Sequence, residues 1–424
     1  MRRRFTRPDG GGWGRWVLVG GTLVFGFWPL GCDRNDRPGD GSESTDQGAT
    51  RGGSDAHSAP IGEIAVGDPA LLTVGTLGLS DDSLTEYIFA GIQGAKRLSD
   101  GGIVVADDGS KQVRRFDSTG RHLWSTGQRG EGPGDFRDVR LLPECTNDTV
   151  VTVLDIQLDR ITELDGDGDF LRSWLPRSPE GRLPYSDLVC GSGGLSAFTR
   201  FEDVSTYDAD AGDHYRWIVD LYGHRAVPDT SWLVRTGIPG PDRTRYRSSD
   251  GPRTWGRRPV LAADVRGVWL GVADDYSVER MDWSGSTVRV IRWSGPPLSV
   301  EQHHIDAWKD RYVAGFASDA NRLKEFLDLD WPRIQRDLPS RFPAYSDLVA
   351  PDDGTLWVRM FERPGEAKEW HVFDRDGNWT HRLEEPQGME ILDISPTAVL
   401  AVVWRTGGVE TLEVRELSFT APPN

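Results

Sequence analysis

The sequence predicts an all-β protein built from repeated four-stranded sheets. Two observations carry this prediction. First, the word YSDLV occurs twice, at residues 185–189 and 345–349, and each copy precedes a turn and another apolar run. Second, most of the chain after residue 62 consists of short β-type runs separated by Gly, Asp, Asn and Pro turns. A five-letter word that recurs with similar flanks indicates an internal repeat, and an internal repeat decides the fold.

The clearest copy of the repeat spans residues 101–136. It contains predicted strands at 103–106, 112–116 and 122–125, with a DSTG turn before the third. Counting the run that precedes each copy, every repeat has four strands, and YSDLV falls on the innermost strand of the third and fifth. One such sheet cannot bury both apolar faces, whereas six packed radially can, so we predict a six-bladed β-propeller over residues 63–421. The further copies begin at Asp148, Gly194, Gly267, Gly354 and Ala398.

The sixth copy lacks an obvious fourth strand. The run PALLTVGTLGL at residues 69–79 lies near the other end of the chain, before the first repeat. It is a predicted strand that belongs to none of the repeats. Since open sheet edges are templates for aggregation, we expect residues 70–76 to pair with residues 411–417 and complete the sixth blade.

One segment breaks the β pattern. Residues 298–340 have helical periodicity, with Ile305, Trp308, Tyr312 and Phe316 on one face. Ser299 and Gln302 form a capping-box pattern before them. We predict a helical insert between blades four and five, which lies over one end of the ring either as a stabilising element or as a lid or docking element.

The N-terminus has the layout of an export signal. A basic start, MRRRFTR, precedes an apolar stretch at residues 16–30. This stretch is shorter than the usual membrane-spanning helix, so an export signal is the favoured interpretation. The closing letters WPLGC resemble a bacterial lipoprotein signal, which implies that Cys32 is lipidated and begins the mature protein. A plain cleaved signal, an uncleaved anchor and a twin-arginine signal are the alternatives. Residues 1–32 are therefore predicted to be a signal peptide.

Residues 33–62 are predicted to be a disordered tether, because they are rich in Gly, Ser, Asp and Pro and almost free of aliphatic side chains. The whole chain has a formal charge of −17, and the part after the basic signal is more acidic still. Such a surface repels nucleic acid and anionic lipid. We expect no nucleic-acid partner, and membrane contact only through the N-terminal anchor.

The first repeat resembles a blade of NHL-type six-bladed β-propellers. Such blades pair a V-A-D strand end with an F-D-x-x-G turn and a G-x-G-P-G-x-F connector, and this chain has them at residues 105–107, 116–120 and 130–136. The connector occurs once. The chain also resembles exported six-bladed propeller proteins of environmental bacteria. This resemblance implies the fold and leaves the activity open.

Three aspartates take equivalent positions when the repeats are aligned: Asp107, Asp155 and Asp274. One hypothesis is an acidic ring at the channel mouth that binds a cation or a basic ligand. The interpretation that we favour is that each carboxylate accepts backbone N–H groups of its own turn.

The two copies of YSDLV place Tyr185, Asp187, Tyr345 and Asp347 on innermost strands. Side chains alternate along a strand, so Tyr and Asp are expected to share a face within each copy. They could form a ligand site in the channel; alternatively, the Tyr rings fill the space between blades.

No pattern in the sequence indicates a metal or a cofactor. The His residues have no zinc-ligand spacing, and no nucleophile elbow or nucleotide-binding loop is present. Propeller hydrolases that resemble gluconolactonases hold a cation with Glu, Asn and Asp, and no Asn falls on an innermost strand here. His303 and His304 are expected to be a solvated pair, and His371 and His381 a surface pair on adjacent strands.

Cys145 and Cys190 lie one repeat apart, at the predicted ends of innermost strands in blades two and three. Export places them in an oxidising compartment, so we predict a disulfide between them. Two buried free thiols are the alternative.

These features favour a monomeric, exported binding or scaffolding module, anchored in the membrane of the cell envelope on the periplasmic side or at the cell surface. Its expected partner is an envelope protein or a small ligand. The alternative is an enzyme with its site in the central channel, a metal-assisted hydrolase or lyase.

Overall fold

The computed structural model describes residues 53–56, 61–68, 71–75, 82–174, 177–178, 181–182, 185–191, 195–203, 213–224, 231–239, 244–246, 255–316 and 319–421. This part of the chain is mainly β structure with few helices. Among these residues, no helix has the length and the apolar character needed to cross a membrane.

Three short N-terminal strands come first: β1 (Gly53–Ala56), β2 (Gly62–Val66) and β3 (Leu72–Val74). The described strands that follow form antiparallel meanders, each in chain order. Sheet 1 contains β4 (Ile92–Arg97), β5 (Ile103–Asp107), β6 (Gln112–Phe116) and β7 (His122–Thr126). Sheet 2 contains β8 (Val139–Leu141), β9 (Val150–Asp155), β10 (Arg160–Asp165) and β11 (Phe170–Trp174).

A small hairpin, β12 (Arg177–Ser178) and β13 (Gly181–Arg182), separates sheet 2 from sheet 3. Sheet 3 contains β14 (Tyr185–Gly191), β15 (Leu195–Asp203), β16 (Asp213–His224) and β17 (Ser231–Pro239), with β18 (Thr244–Tyr246) also on β16. Sheet 4 contains β19 (Val260–Asp264), β20 (Gly267–Gly271), β21 (Ser277–Asp282) and β22 (Thr287–Trp293).

Sheet 5 contains β23 (Tyr345–Val349), β24 (Leu356–Met360), β25 (Glu369–Phe373) and β26 (Trp379–Glu384). Sheet 6 contains β27 (Met389–Ile394), β28 (Ala398–Trp404) and β29 (Glu410–Phe419). Its fourth strand comes from the other end of the chain. The predicted pairing is observed: β3 lies antiparallel to β29, with Leu72 opposite Val414 and Val74 opposite Leu412.

The turn between the third and fourth strands repeats in sheets 1, 2, 4 and 5. An aspartate at the end of the third strand accepts backbone N–H groups from residues two and four positions later, and a glycine with φ of 83° to 87° follows. Only glycine adopts that conformation without strain. The D-x-x-G letters therefore specify the turn locally, and the aspartates are Asp117, Asp165, Asp282 and Asp374.

Buried apolar clusters lie between consecutive sheets. Leu154 and Leu188 meet between sheets 2 and 3, for example, and Val105 and Leu400 meet between sheets 1 and 6. The first strands of neighbouring sheets also contact one another, as β4 contacts β8 and β27, and β19 contacts β14 and β23. First strands therefore lie innermost, and each sheet buries its apolar faces against its two neighbours.

The connector at residues 130–136 links sheet 1 to sheet 2. Phe136 is fully buried between these sheets, and its backbone bonds to Gln128 and Gly130. Arg160 of β10 donates to the carbonyls of Glu131 and Asp135 from outside. The glycine-rich letters thus form a turn that carries one apolar side chain into the core.

The N-terminal strands cover the outer edges of three sheets. β1 pairs in parallel with β22 of sheet 4, and β2 pairs in parallel with β26 of sheet 5 and antiparallel with β29 of sheet 6. The predicted disordered tether therefore extends too far, because Gly53–Ala56 is a strand. An outer sheet edge has unpaired backbone N–H and C=O groups. It can therefore pair with a strand whose sequence has no alternating apolar pattern.

Three helical segments lie between β22 and β23. They are α1 (Gln302–Gly315), α2 (Ala320–Glu325), which continues through a π-helical turn at Phe326–Asp330, and α3 (Trp331–Asp337). Shorter 3₁₀ turns occur at Asp82–Tyr87 and Pro143–Cys145.

The helical segment has its own aromatic core. Trp308, Phe326 and Trp331 from the helices pack against Trp255 and Phe342, and the ring centroids of Trp255 and Phe342 are 4.9 Å apart. As the periodicity predicts, Ile305 and Phe316 join this cluster. These contacts fix the helices against the segment that precedes sheet 4, through Trp255, and against the segment that precedes sheet 5, through Phe342.

The predicted capping box was misplaced. Helix α1 begins two residues later than the Ser299–Gln302 pattern implies, with Glu301 at the N-cap position and His304 at the third helical position. Ser299 instead forms a β-bridge with Arg341. The local cap pattern was overruled because this bridge keeps the backbone at Ser299 extended.

Candidate functional site

Asp107 and Asp155 occupy the same place in sheets 1 and 2, at the end of the second strand, and both are buried. Asp107 accepts the N–H of Ala90 (3.0 Å), which precedes β4, and that of Gly109. Asp155 accepts the N–H of Arg137 (2.7 Å), which precedes β8, and that of Leu158. Each carboxylate thus ties the start of the innermost strand to the turn after the second strand.

A guanidinium completes the Asp107 site. Arg114 forms a buried ion pair with Asp107 (3.3 Å) and donates to the carbonyls of Glu86 and Ile88. Burial lowers the pKa of Arg114, against the opposing effect of Asp107. The carboxylate of Asp107 and the guanidinium of Arg114 thus both have their partners inside the protein. The favoured interpretation of this aspartate, as the cap of its own turn, fits these contacts.

Asp274 does not occupy that place. β20 ends at Gly271, and Asp274 lies in the following loop, where it pairs with Arg257 and is 40% exposed. The alignment of GVADDY with VVADDG was misleading because the strand is cut short. Ala273 has φ of 55°, and the Tyr345 hydroxyl packs so closely on Gly271 that a side chain there would collide with it.

This difference gives a matched pair of variants. We expect Asp155→Ala to lower the free energy of unfolding by about 3 kcal/mol, because two backbone N–H groups lose a buried acceptor. Asp274→Ala should change it by less than about 1 kcal/mol, since exposed ion pairs contribute little. Urea denaturation of the two variants checks this. Equal losses would contradict the assigned role of Asp155.

The YSDLV word encodes a β-bulge. In sheet 5, Tyr345 lies opposite Met360 and Asp347 lies opposite the adjacent Arg359, so Ser346 is the extra residue. Sheet 3 has the same shift between Tyr185 and Asp187. A bulge sets two residues against one and reverses the alternation. In sheet 5, Tyr345 and Asp347 therefore do not share a face, contrary to the prediction.

Tyr345 fills the space between sheets 4 and 5. It is 1% exposed, its ring contacts Trp293, and its hydroxyl donates to the carbonyl of Ser277 (2.6 Å) and accepts the N–H of Ala273. Burial raises the pKa of the Tyr345 hydroxyl. Its hydrogen-bonding capacity is used inside the protein. The side chains of Tyr185 and Asp187, in the other copy, lie outside the described part of the structure.

A buried ionic network lies between sheets 5 and 6, and sequence reasoning missed it. Arg359 of β24 pairs with Glu385 (3.3 Å) and with Glu390 of β27 (3.2 Å), and Lys368 also pairs with Glu385. The Trp370 indole N–H donates to Glu385. Burial raises the pKa of Glu390, and the charge of Arg359 partly offsets that rise. We call these four charged residues the Arg359 network.

A second carboxylate on β27 faces sheet 1. Asp393 accepts the N–H of Arg97 on β4 (2.9 Å), and Lys96 lies 4.0 Å from it. Burial raises the pKa of Asp393. Innermost strands thus carry charges of both signs that are paired between sheets. Within the described ranges, no group of three or more His, Cys, Asp or Glu side chains is placed to hold a metal ion.

The histidines differ from expectation. His304 is buried, not solvated, while His303 beside it is exposed. His371 is buried and stacks on Trp379 at 4.2 Å, and in the strand register it lies opposite Arg382, whereas His381 lies opposite Val372. His371 and His381 therefore do not form a cross-strand pair. Strand register, which the letters alone do not fix, decides this.

A shallow cleft of about 270 Å³ lies at the outside of sheets 5 and 6. Its lining residues include Trp357, His381 and Phe419, together with Asp353 and Asp374. Both aspartates hold turns of their own, as Asp353 accepts from Thr355 and Asp374 from Asp376 and Asn378.

Cys145 and Cys190 are joined by a disulfide with a Cα–Cα distance of 4.8 Å. Cys145 follows β8 in a 3₁₀ turn, and Cys190 lies on β14. Both pack in the cluster between sheets 2 and 3. The bond therefore links the innermost parts of two neighbouring sheets. Cys32 lies outside the described residues.

No family model matches the chain, and no curated protein matches it. Among solved structures, it is similar to a member of the DUF4221 family from Bacteroides vulgatus, with 10% identity and a TM-score of 0.51 over 85% of this chain and 99% of that one. A putative exported protein from Bacteroides fragilis has 11% identity and a TM-score of 0.46 over 86% and 98%. A gluconolactonase from Xanthomonas campestris has 13% identity and a TM-score of 0.40 over 83% and 99%. At such identities a likeness shows the fold alone, and the chain has a β-propeller fold.

Proposed function

We propose that the protein is a six-bladed β-propeller that serves as a binding or scaffolding module of the cell envelope, with the helical segment as an insert between blades four and five. The meanders of sheets 1–6 support the blade count, as do the apolar clusters between consecutive sheets and between sheet 6 and sheet 1. The place of the helices between β22 and β23 supports the insert.

One observation carries the proposed binding role: the polar residues that repeat between blades form hydrogen bonds and ion pairs within the propeller. Asp107 and Asp155 hold backbone N–H groups, and Tyr345 bridges two sheets. The carboxylates of Glu390 and Asp393 on β27 are paired with Arg359 and with the backbone of Arg97. These groups stabilise a rigid ring, and a rigid ring presents surfaces for recognition.

The proposal includes export and anchoring. The basic start, the short apolar stretch and Cys32 support a lipoprotein signal over residues 1–32, and the polar composition that follows supports a tether. The protein would then be a monomer held by lipid in the periplasm or at the cell surface, free to meet an envelope protein or a small ligand.

Replacing Cys32 with Ser is expected to move the protein from the membrane fraction to the soluble fraction and to leave its unfolding curve unchanged. The reason is that the lipid alone would hold it, and the tether adds no core. Thr45→Ser, in the same polar segment, is the control and should stay with the membrane. Retention of the Cys32→Ser protein would instead indicate an uncleaved helix.

The binding role is tested by cross-linking in intact cells, purification of the anchored protein and identification of what accompanies it. Excess Cys32→Ser protein, added before cross-linking, should compete for a specific partner and reduce its recovery. Metal content is measured on the same sample. One tightly held metal per chain that is lost in Glu390→Gln or Asp393→Asn would contradict the proposal and favour a metal-assisted hydrolase or lyase.

A further inference from the structure

His304 holds the start of the helical segment through its ring. It is the third residue of α1, is 5% exposed, and its Nδ1 accepts the backbone N–H of Glu301 at 3.1 Å. That N–H belongs to the N-cap residue, and helix starts need such acceptors because the first N–H groups have no partner within the helix. Glutamate or glutamine usually plays this part at the third position. A histidine there makes the bond sensitive to protonation.

The bond fixes the tautomer of the ring. An Nδ1 that accepts a hydrogen bond carries no proton, so the neutral ring is protonated on Nε2. Nε2 lies 3.8 Å from a carboxylate oxygen of Glu366, in the turn after β24. A second proton can only go to Nδ1, which would then be a donor facing another donor. Protonation of His304 and the bond from Glu301 therefore exclude each other.

The surroundings of His304 contain charges of both signs. The centroid of the His303 ring lies 3.8 Å from that of His304, with the two ring planes tilted by 40°, and Arg363 lies nearby, above the ring of Phe342. The edge of His304 meets that same Phe342 at 5.0 Å. Glu366 and Glu301 supply the negative charges, but Glu366 is about half exposed, so water screens it. Arg363 itself donates hydrogen bonds to the Tyr276 hydroxyl and to the carbonyl of Pro296.

We propose that His304 is an acid-sensitive latch: when its ring takes up a proton, Glu301 loses its acceptor and the start of α1 detaches from sheet 5. Detachment would uncover Phe342 and Phe361, which now pack under the helices. The latch would thus expose an aromatic surface in acid and cover it at neutral pH. This inference concerns the helical segment only and does not depend on the proposed binding role.

The direction of the effect follows from the pKa. Burial lowers the pKa of His304 below its ordinary value of 6.5, His303 and Arg363 lower it further, and Glu366 and Glu301 oppose them. A lowered pKa means that the docked helix favours the neutral ring. The stability that this supplies is present above pH 6.5 and is lost as the pH falls through the lowered pKa of the docked state.

The test is hydrogen exchange of the full chain at about pH 7.5 and about pH 5, a range in which histidine is the main titrating side chain. Peptides from residues 302–316 are compared with peptides from β5, which corrects for the pH dependence of exchange itself. Relative protection of the first turns of α1 should fall by about fivefold in acid, the effect of losing one cap. Unchanged relative protection would overturn the proposal.

Two variants separate the latch from general acid effects. His304→Gln keeps an acceptor for Glu301 that does not titrate, so its helix should stay protected at both pH values. His303→Gln keeps the latch and should still lose protection in acid, at least as readily as the unaltered protein, because His303 lowers the pKa of His304. Loss of protection in His304→Gln at acid pH would overturn the proposal. So would nitrogen NMR of the unaltered protein that finds a proton on Nδ1 at neutral pH, a measurement that needs no variant.

Discussion

Replacing Arg359 with methionine is expected to destabilise the protein by about 4 kcal/mol at neutral pH. The change removes the cation that lies between Glu385 and Glu390, both almost fully buried. Glu385 keeps Lys368 and the Trp370 indole N–H, whereas Glu390 loses its ion pair. Breaking a buried ion pair by removing one partner costs more than the pair itself contributes, because the remaining charge is stranded away from water. Urea denaturation measures the loss.

The pH dependence of that variant tests the cause. Burial already raises the pKa of Glu390 above its ordinary value of 4.5, and without Arg359 it should rise further. A folded state with a raised pKa binds its proton more tightly than the unfolded chain, so protonation relieves the loss below about pH 4.5, and the loss returns as the pH rises through the raised value. A loss that is equal at pH 4.5 and at neutral pH would contradict this account.

The matched control is Arg382→Met on β26 of the same sheet. Arg382 pairs with Glu63, and both side chains are about half exposed. Exposed pairs contribute little, so this variant should lose less than about 1 kcal/mol and show no acid recovery. A large loss there would mean that charge removal anywhere on sheet 5 destabilises the protein, and the Arg359 network would have no special part.

Removing the disulfide is expected to have an effect of similar size. The double variant Cys145→Ala, Cys190→Ala should lose about 4 kcal/mol, because the bond closes a loop with a sequence separation of 45 residues and restricts the unfolded chain. The loss should appear in urea denaturation without reductant. Adding reductant to the unaltered protein should produce a comparable loss, and adding it to the double variant should produce none.

Alkylation checks the bond itself. In denatured, non-reduced protein, neither Cys145 nor Cys190 should react, whereas the single variant Cys145→Ala should expose one reactive thiol at Cys190. Two reactive thiols in the unaltered protein would contradict the disulfide, and stability would then be unaffected by reductant.

The sequence allowed good prediction of strands whose turns are specified locally. The strands of sheet 1 were predicted at 103–106, 112–116 and 122–125, and they lie at Ile103–Asp107, Gln112–Phe116 and His122–Thr126. The D-x-x-G turns made this possible, because an aspartate and a glycine at fixed spacing determine the backbone there. Strand β2 was harder to predict, since it is held by backbone pairing at an outer edge.

The candidate site was only partly predictable, for reasons of register. YSDLV was recognised as a repeated position, but its bulge moves Tyr345 and Asp347 to opposite faces, and alternation alone could not show that. Asp274 was aligned by its letters, although the strand before it ends early. The Arg359 network joins residues from different sheets, and no spacing in the sequence links Arg359 to Glu390.

The pairing of the first strands with the last one sets the order in which the chain can fold. Glu63 bonds to Thr420, 357 residues later, and β3 pairs with β29. Contacts between such distant residues require closure of a very long loop and form slowly. Sheets 1 to 5 can form their meanders as the chain emerges, but sheet 6 must wait for the C-terminus. Until β29 is made, β3 lacks its partner strand, so its open edge remains a template for aggregation for as long as the last part of the chain is missing.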